Sequence, residues 1–366
     1  MKIWHIGSSP SPQTVDGVNT AVWLTAIEQS ALGHHVSLLL DELPNDDAKA
    51  TAEKSGLTLI YVPSNLWRYD PQILDLLLDQ DQPDIVHMHS VFIPKQATLA
   101  KRLVQRCIPY AITPHGGLDS QRGQIKKLLY SFLIEKQRFC RAAALTVVTP
   151  KEEETIRAFI PQYKGVIRWV PNPIRQPVEK QSWEGNIDTK KLIYLGRFDV
   201  LHKGIDILVA IARYLPSDIE IHLYGTKDQK TSRWMQKLNQ SLPNNVHFHS
   251  PVFGEDKMQV LTKASLYIQV SRWEVFGLSI AEAMYLGIPC AIATTLNFAE
   301  LFSQHDLGLV LPSNPSAAAA SLTNVLTQPK QLHHWSTRAK SYAQQNFQAR
   351  SIALKYLELY EEVIGL

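Results

Sequence analysis

Short apolar, β-branched runs recur through the first half of the chain, at Lys2–Ser8, His35–Leu40, Leu57–Val62, Asp84–His89, Tyr110–Thr113, Leu145–Thr149 and Val166–Val170. Stretches with helical spacing of apolar positions separate most of them, for example Val18–Leu32, Pro94–Cys107 and Gln124–Phe139. Strands that alternate with helices run parallel and join by right-handed crossovers, so this order predicts an open, doubly wound α/β sheet. A polar, proline-bearing stretch over 171–186 then reads as a linker. The alternation restarts with strands at Lys191–Leu195, Ile219–Leu223, Val246–His249, Leu266–Val270 and Cys290–Ala293, and helices near Gly204–Tyr214, Glu255–Lys263 and Ser279–Leu286. It predicts a second α/β unit. The carboxyl end, Pro315–Leu326 and Pro329–Leu366, reads as wholly helical, and a long final helix there is expected to reach back and brace the first domain. The expected boundaries are 1–171 together with a returning helix 350–366, and 172–349.

Length and composition agree with two domains. The chain has 366 residues, whereas a single core usually stops growing at about 250–300 residues. Apolar residues at 45% and charged residues at 19% supply a substantial core and argue against disorder. A net charge of +3 implies no strongly basic face, so nucleic acid is not expected as a partner and an acidic ligand must be met by local groups. Cys107, Cys140 and Cys290 lie far apart, without metal-ligand spacing and among apolar residues. They predict buried, inert thiols and a reducing cytoplasm. The chain enters a strand pattern at once from Met1, and no apolar run approaches the roughly 20 residues of a membrane span, so neither a signal peptide nor a transmembrane segment is expected.

Open α/β sheets bind ligands beyond the carboxyl ends of their strands, and four such loops concentrate reactive residue types. The first, Val15-Asp16-Gly17-Val18-Asn19-Thr20, leads into a helix whose free N–H groups favour an anion near Gly17. It lacks G-x-G-x-x-G, which disfavours a nicotinamide cofactor, and an ordinary turn glycine explains it equally well. The second, Thr113-Pro114-His115-Gly116-Gly117-Leu118-Asp119, permits close backbone approach at its glycines. There His115 can donate to a hydroxyl or share charge with a phosphate, a structural role being the equal alternative. His87 and His89 read instead as packed, hydrogen-bonded strand histidines. The third, Leu195–Gly204, sets the rigid fork of Arg197 and the mobile charge of Lys203 beside a helix start, an arrangement suited to a diphosphate.

The fourth loop, Ser271–Met284, is the most specific. Glu274 falls in the turn and Glu282 in the helix that follows, whose start near Gly277–Ser279 leaves N–H groups unpaired. Were the whole segment helical, the two carboxylates would be separated by a rise of about 12 Å. That is the scale of a nucleoside diphosphate sugar from hexose to ribose. Apolar neighbours on both sides argue against two glutamates that merely face solvent.

At these residues the sequence resembles the retaining glycosyltransferases of family 4, whose architecture is GT-B, two facing doubly wound Rossmann-like domains with the donor in the cleft between them. The resemblance covers nearly the whole chain. Its most specific signature is Glu274-Val275-Phe276-Gly277-Leu278-Ser279-Ile280-Ala281-Glu282, followed by Ala283-Met284 and Gly287-Ile288-Pro289. Asp16-Gly17, Pro114-His115-Gly116-Gly117, Gly196-Arg197 with Lys203-Gly204, Asn172, and Val246-His247-Phe248 before Pro251-Val252-Phe253-Gly254 extend it. The resemblance implies an acceptor-side first domain and a nucleotide-sugar-binding second domain. It implies that Arg197 and Lys203 bind the diphosphate, Glu282 the ribose and Glu274 the donor-sugar hydroxyls. It places backbone amides of Phe276, Gly277 and Leu278 at the sugar or phosphate, Val252 and Phe253 against the base, His115 near the transferred sugar and Gly17 beside the diphosphate. Two segments depart from the family. Thr295-Leu296-Asn297-Phe298-Ala299-Glu300 is shorter than the family's usual segment and lacks its paired glycines, and Gly225-Thr226-Lys227-Asp228-Gln229 replaces a glycine-rich loop. Both bear on donor contacts.

Cleavage of an anomeric C–O bond to a diphosphate develops negative charge on the leaving group, for which Arg197, Lys203 and the helix start supply preorganised positive charge. These loops hold no Asp-x-Asp box, so neither a metal nor a cofactor is expected. The resemblance implies retention by front-face attack, with the leaving phosphate helping to deprotonate the acceptor. The expected donor is UDP-glucose or a similar UDP-hexose, and the expected acceptor a saccharide or lipid-linked saccharide in polysaccharide synthesis. The basic stretch Gln121–Tyr130, continuing to Arg138 and Arg141, reads either as a solvated helix face or as a peripheral contact with the inner face of an anionic membrane. A nucleotide-sugar epimerase, a pyridoxal-phosphate phosphorylase and a non-catalytic sugar-binding module are the rival readings. The first would turn over without acceptor, the second would absorb near the visible edge, and the third would not hydrolyse donor.

Overall fold

The computed structural model describes residues 1–13, 16–118, 134–176, 181–227, 231–234 and 242–365. The chain divides into two compact units, Met1–Arg175 with Phe347–Leu366, and Gln176–Asn346.

Among the described residues unit 1 is built on seven strands, β1 (Lys2–Ile6), β2 (His35–Leu40), β3 (Thr58–Tyr61), β4 (Ile85–His89), β5 (Tyr110–Thr113), β6 (Ala144–Val147) and β7 (Val166–Trp169). They are parallel throughout and ordered β3-β2-β1-β4-β5-β6-β7. Every position of β4, β5 and β6 is buried, as expected of a parallel sheet covered on both faces, and this two-sided burial is why their sequences are nearly continuous apolar runs. The strand order reverses between β1 and β4, which puts the ligand-binding end of the sheet at the loops after those strands.

The returning helix is present: Ala349–Ile364 packs on the first helix, Gly17–Ala31, and places Ile352, Tyr356 and Tyr360 in a core with Val22, Trp23 and Leu38. It is not the long continuous helix expected over Pro329–Leu366. Pro329–Asn346 ends first; Phe347 then spends its carbonyl on the Ile174 N–H at 3.0 Å, and Gln348, extended at φ −67 and ψ 135, bridges Ile174 before the helix restarts. Backbone groups engaged in that pairing cannot continue a helical ladder.

Unit 2 repeats the plan with β8 (Lys191–Leu195), β9 (Glu220–Tyr224), β10 (Val246–His249), β11 (Leu266–Gln269), β12 (Cys290–Ala293) and β13 (Gly308–Leu311), again parallel and ordered β10-β9-β8-β11-β12-β13. Its reversal lies between β8 and β11. The edge strand β13 and the helix before it, Phe298–His305, were not among the elements the pattern predicted, because a four-residue apolar run is ambiguous between helix and strand. The thiols also differ from expectation. Cys290 is buried, but Cys140 is half-buried and Cys107 is exposed, the last at a positive φ of 57 just past the helix end. Among the described residues no helix is long and apolar enough to cross a membrane.

Candidate functional site

The loops at the strand-order reversal of unit 2 are tied into one body by side chains of their own. After β8, Tyr194 donates its hydroxyl to the Arg197 carbonyl at 2.9 Å, and Asp199 caps the short helix Val200–Lys203 by accepting from the His202 N–H at 3.0 Å. Gly204 ends that turn at φ 69, and a Cβ there would come within 2.2 Å of the Val270 carbonyl oxygen, so only glycine allows the two loops this close approach. The loop after β11 answers from its side. Arg272 forms a two-pronged ion pair with Asp206 at 2.6 and 2.9 Å and donates to the Val200 carbonyl, while the His202 ring stacks on Trp273 with centroids 4.5 Å apart.

Within this body Lys203 Nζ donates to Glu274 Oε2 at 2.6 Å, both side chains being mostly buried. The cation expected at the diphosphate and the carboxylate expected at the sugar are therefore neighbours. Glu282, in the helix Leu278–Tyr285, accepts from Lys257 at 2.6 Å in the same way. Lys257, on the helix Gly254–Thr262, was not singled out from sequence. Arg197 is exposed, and its guanidinium has no hydrogen bond or ion pair with a described residue. The Ser271–Met284 segment is a loop followed by a helix rather than one helix, so the 12 Å rise considered above does not describe it. The Phe276 ring is buried edge-on against Phe298, with centroids 5.0 Å apart, which leaves only its backbone for a ligand. Gly277 caps the helix and Leu278 begins it, and the Gly277 carbonyl accepts from both Ile280 and Ala281. Val252 is half-buried, and Phe253 exposes 55% of its surface at the head of the Gly254–Thr262 helix, an open apolar face of the kind a planar base covers.

In unit 1, Gly17 is the first residue of its helix, which Asp16 caps and which Asn19 anchors through hydrogen bonds to Ser9 and Ser11. Val15 and the segment 119–133, with the basic run Gln121–Tyr130, lie outside the described residues, as do Asp228 and Gln229. His115 takes a left-handed φ of 50, strained for a residue with a side chain. Glu152 holds the turn by accepting from the N–H groups of Gly116 at 2.5 Å and Val148 at 2.9 Å. The His115 ring shares a hydrogen bond between its Nε2 and His89 Nδ1 at 3.0 Å, and beyond it His89 Nε2 meets His5 Nδ1 at 3.1 Å. The Nδ1 of His115 and the Oδ1 of Asn172 are both buried without a hydrogen-bond partner among the described residues. Burial pushes the His115 pKa down to about 3, only partly opposed by the Asn172 side chain. The ring is thus neutral at pH 7, which suits hydrogen bonding to a hydroxyl better than sharing charge with a phosphate. Arg138, counted above in a basic surface stretch, is buried and paired with Glu135, Gln96 and the Ser90 carbonyl.

Residues 15–175 match the family described as Glycosyltransferase Family 4, and residues 176–342 the one described as Glycosyl transferases group 1. The chain belongs to the family 4 glycosyltransferases. N-acetyl-alpha-D-glucosaminyl L-malate synthase of Bacillus anthracis is 22% identical over 82% of each chain. GDP-mannose:cellobiosyl-diphosphopolyprenol alpha-mannosyltransferase of Xanthomonas oryzae is 21% identical over 84% of this chain and 80% of its own. Among solved structures, Alr3699/HepE of Anabaena, in complex with UDP and glucose, superposes with a TM-score of 0.72 at 17% identity over 99% of this chain and 100% of its own. The fold of this glycosyltransferase is GT-B, with two Rossmann-like sheets of seven and six parallel strands and a carboxyl-terminal helix that completes the first.

Proposed function

We propose that this glycosyltransferase moves a hexosyl group from a nucleoside diphosphate sugar, UDP-glucose or a similar UDP-hexose, to a saccharide or lipid-linked saccharide, with retention of configuration and no metal at the diphosphate. The observation that carries this reading is the pair of lysine–glutamate contacts, Lys203–Glu274 and Lys257–Glu282, set at the loops and helix starts of unit 2, which also carries the exposed Arg197, whose guanidinium is paired with no described residue. A diphosphate entering there meets Arg197 and draws Lys203 from its carboxylate, freeing Glu274 for sugar hydroxyls. Lys257 holds Glu282 in place to accept from a ribose. Cations already in position take over the charge neutralisation that a divalent ion performs elsewhere. The UDP and glucose seen with Alr3699/HepE favour a uridine donor, whereas the GDP-mannose of the Xanthomonas relative makes a guanosine donor the comparison to run. That relative's diphosphopolyprenol acceptor supports a lipid-linked saccharide here. The basic run Gln121–Tyr130 would then suit peripheral contact with the cytoplasmic face of the membrane that holds the acceptor.

Binding and chemistry separate by unit. His115→Ala should leave UDP affinity nearly unchanged in titration calorimetry yet lower UDP release in the presence of acceptor at least about 100-fold, as expected of an interaction made mainly in the transition state. Glu282→Ala should instead weaken UDP binding by about 1.5–3 kcal/mol, the range for a hydrogen bond to a charged group. Both assays are run in EDTA, with GDP in parallel. Transfer at the parental rate by His115→Ala, or parental turnover that requires manganese, would refute the assignment.

A further inference from the structure

Strands β9 and β10 break the pattern of the sheet they close. Every position of β11 is buried, and so is every position of β8 after the first. Instead β9 reads Glu-Ile-His-Leu-Tyr and β10 reads Val-His-Phe-His, alternating along their length. Ile221, Leu223 and Val246 enter the core of unit 2, with Phe248 packed against it. The opposite face therefore carries Glu220, His222 and Tyr224 from one strand and His247 and His249 from the other, with His222 in register with His247 and Tyr224 with His249. A parallel sheet normally presents apolar side chains on both faces. Three imidazoles and a carboxylate gathered on one patch call for a different explanation from packing.

The distances supply it. His222 Nε2 lies 2.9 Å from Glu220 Oε2, His247 Nε2 lies 3.8 Å from Glu220 Oε1, and the ligating atoms of all three residues fall within 4.8 Å of one another. His247 Nε2 is buried yet has no hydrogen-bond partner among the described residues. A tetrahedral ion with bonds of about 2.0–2.2 Å to nitrogen and oxygen holds its ligand atoms about 3.3–3.5 Å apart, and the two separations from Glu220 bracket that spacing. On the far side of the ring, His222 Nδ1 meets His249 Nε2 at 3.0 Å, the kind of outer contact that fixes a ligating imidazole's tautomer and orientation. The side chains of Glu220 and His247 are 39% and 37% exposed, which leaves a route for an ion and room for water as a fourth ligand.

We propose that Glu220, His222 and His247 form a binding site for a divalent transition-metal ion, oriented by His249, which pins the edge strand β10 to β9. Two imidazoles with one carboxylate favour zinc and its neighbours over magnesium or calcium, which prefer all-oxygen shells. The site is independent of the transfer reaction proposed above. Its test uses the tag-free, full-length protein, stripped of metal and titrated with zinc chloride by calorimetry and with cobalt chloride by visible absorption, with magnesium chloride as the control. One zinc per chain, a cobalt spectrum of tetrahedral type and a higher Tm with zinc are expected. His222→Ala and His247→Ala should each lower zinc affinity more than about 100-fold, and His249→Gln about 10–100-fold, as for an outer-contact partner. His247→Ala removes a partly exposed ring that packs on His222 and whose Nε2 has no hydrogen-bond partner among the described residues, so its fold in metal-free buffer, checked by circular dichroism, should match the parent and keep the test decisive. Absence of saturable zinc binding, equal binding of magnesium, or binding unchanged by both alanine substitutions would overturn the proposal.

Discussion

In unit 1, His5 on β1 lies in register with His87 on β4, and His89 follows two residues later; in unit 2, His222 on β9 lies in register with His247 on β10, and His249 follows two residues later. Even the diagonal contact repeats, Nδ1 to Nε2, at 3.1 Å between His5 and His89 and at 3.0 Å between His222 and His249. What meets the remaining nitrogens differs. His5 Nε2 meets the neutral amide of Gln29 at 2.7 Å, and His87 is held on both sides, by the Tyr360 hydroxyl at 2.5 Å and by Thr113 at 2.7 Å. All three rings of unit 1 are buried. In unit 2 a carboxylate takes the place of the amide, a flank stands open to solvent, and His247 Nε2 has no hydrogen-bond partner among the described residues. The same three-histidine geometry is thus saturated in one sheet and unsaturated in the other. Saturation, rather than residue type, separates a packed polar core from a ligand site.

The contrast can be broken most directly at His87. His87→Ala would leave the Tyr360 and Thr113 hydroxyls short of a partner beside a new cavity, and should cost about 3 kcal/mol in urea denaturation. A loss below about 1 kcal/mol would put the buried cluster on the same footing as the open one. Acid should probe the same difference through the protonation of the buried rings. Burial pushes His5 to about 4 and His115 to about 3, and holds His87 and His89 well below the usual range. The unfolded chain, with histidines near 6.5, therefore binds more protons than the native one between pH 6.5 and those values. Stability from this source is complete above pH 6.5 and is lost as pH falls, by up to about 1.4 kcal/mol per pH unit for each histidine. Denaturation series between pH 7.5 and 5 should show that slope, and His5→Gln should flatten it; a level profile would show that the rings titrate normally. The smallest effect is expected at His247. In metal-free buffer His247→Ala should shift stability by no more than about 0.5 kcal/mol, and a loss above about 1 kcal/mol would show that its nitrogen has a partner after all.

Most of the fold was legible because two-sided burial leaves apolar runs that sequence displays directly. β13 was too short for that signal, and the helix break at Phe347 depends on a pairing with Ile174 that no local pattern announces. In the candidate site the strand-end loops declared themselves through Gly204, Arg197, Lys203 and Glu274, because chemistry there is concentrated within a few residues. Lys257, which stands 25 residues before its partner Glu282, carried no such mark. Neither did His5, which reads as one more strand residue until β4 is laid beside it. Arg138 misled for the converse reason: a buried cation looks like a surface one unless its partner Glu135 is seen to be buried with it.

The helix Ala349–Ile364 gives unit 1 a particular history. Its tyrosines fill the core between the first helix and the sheet, and one of them closes the hydrogen-bond circuit of His87. On the ribosome, the strands of unit 1 must therefore wait for a helix that is made after the whole of unit 2. The strands of unit 1 emerge early with an unfilled apolar face and an unanswered imidazole, while unit 2, continuous in the chain, has all its parts before that helix is made. Synthesis of the segment after Asn346 becomes the step that seals the first unit, so a chain stopped at Asn346 holds every residue of the second unit and leaves the first one open.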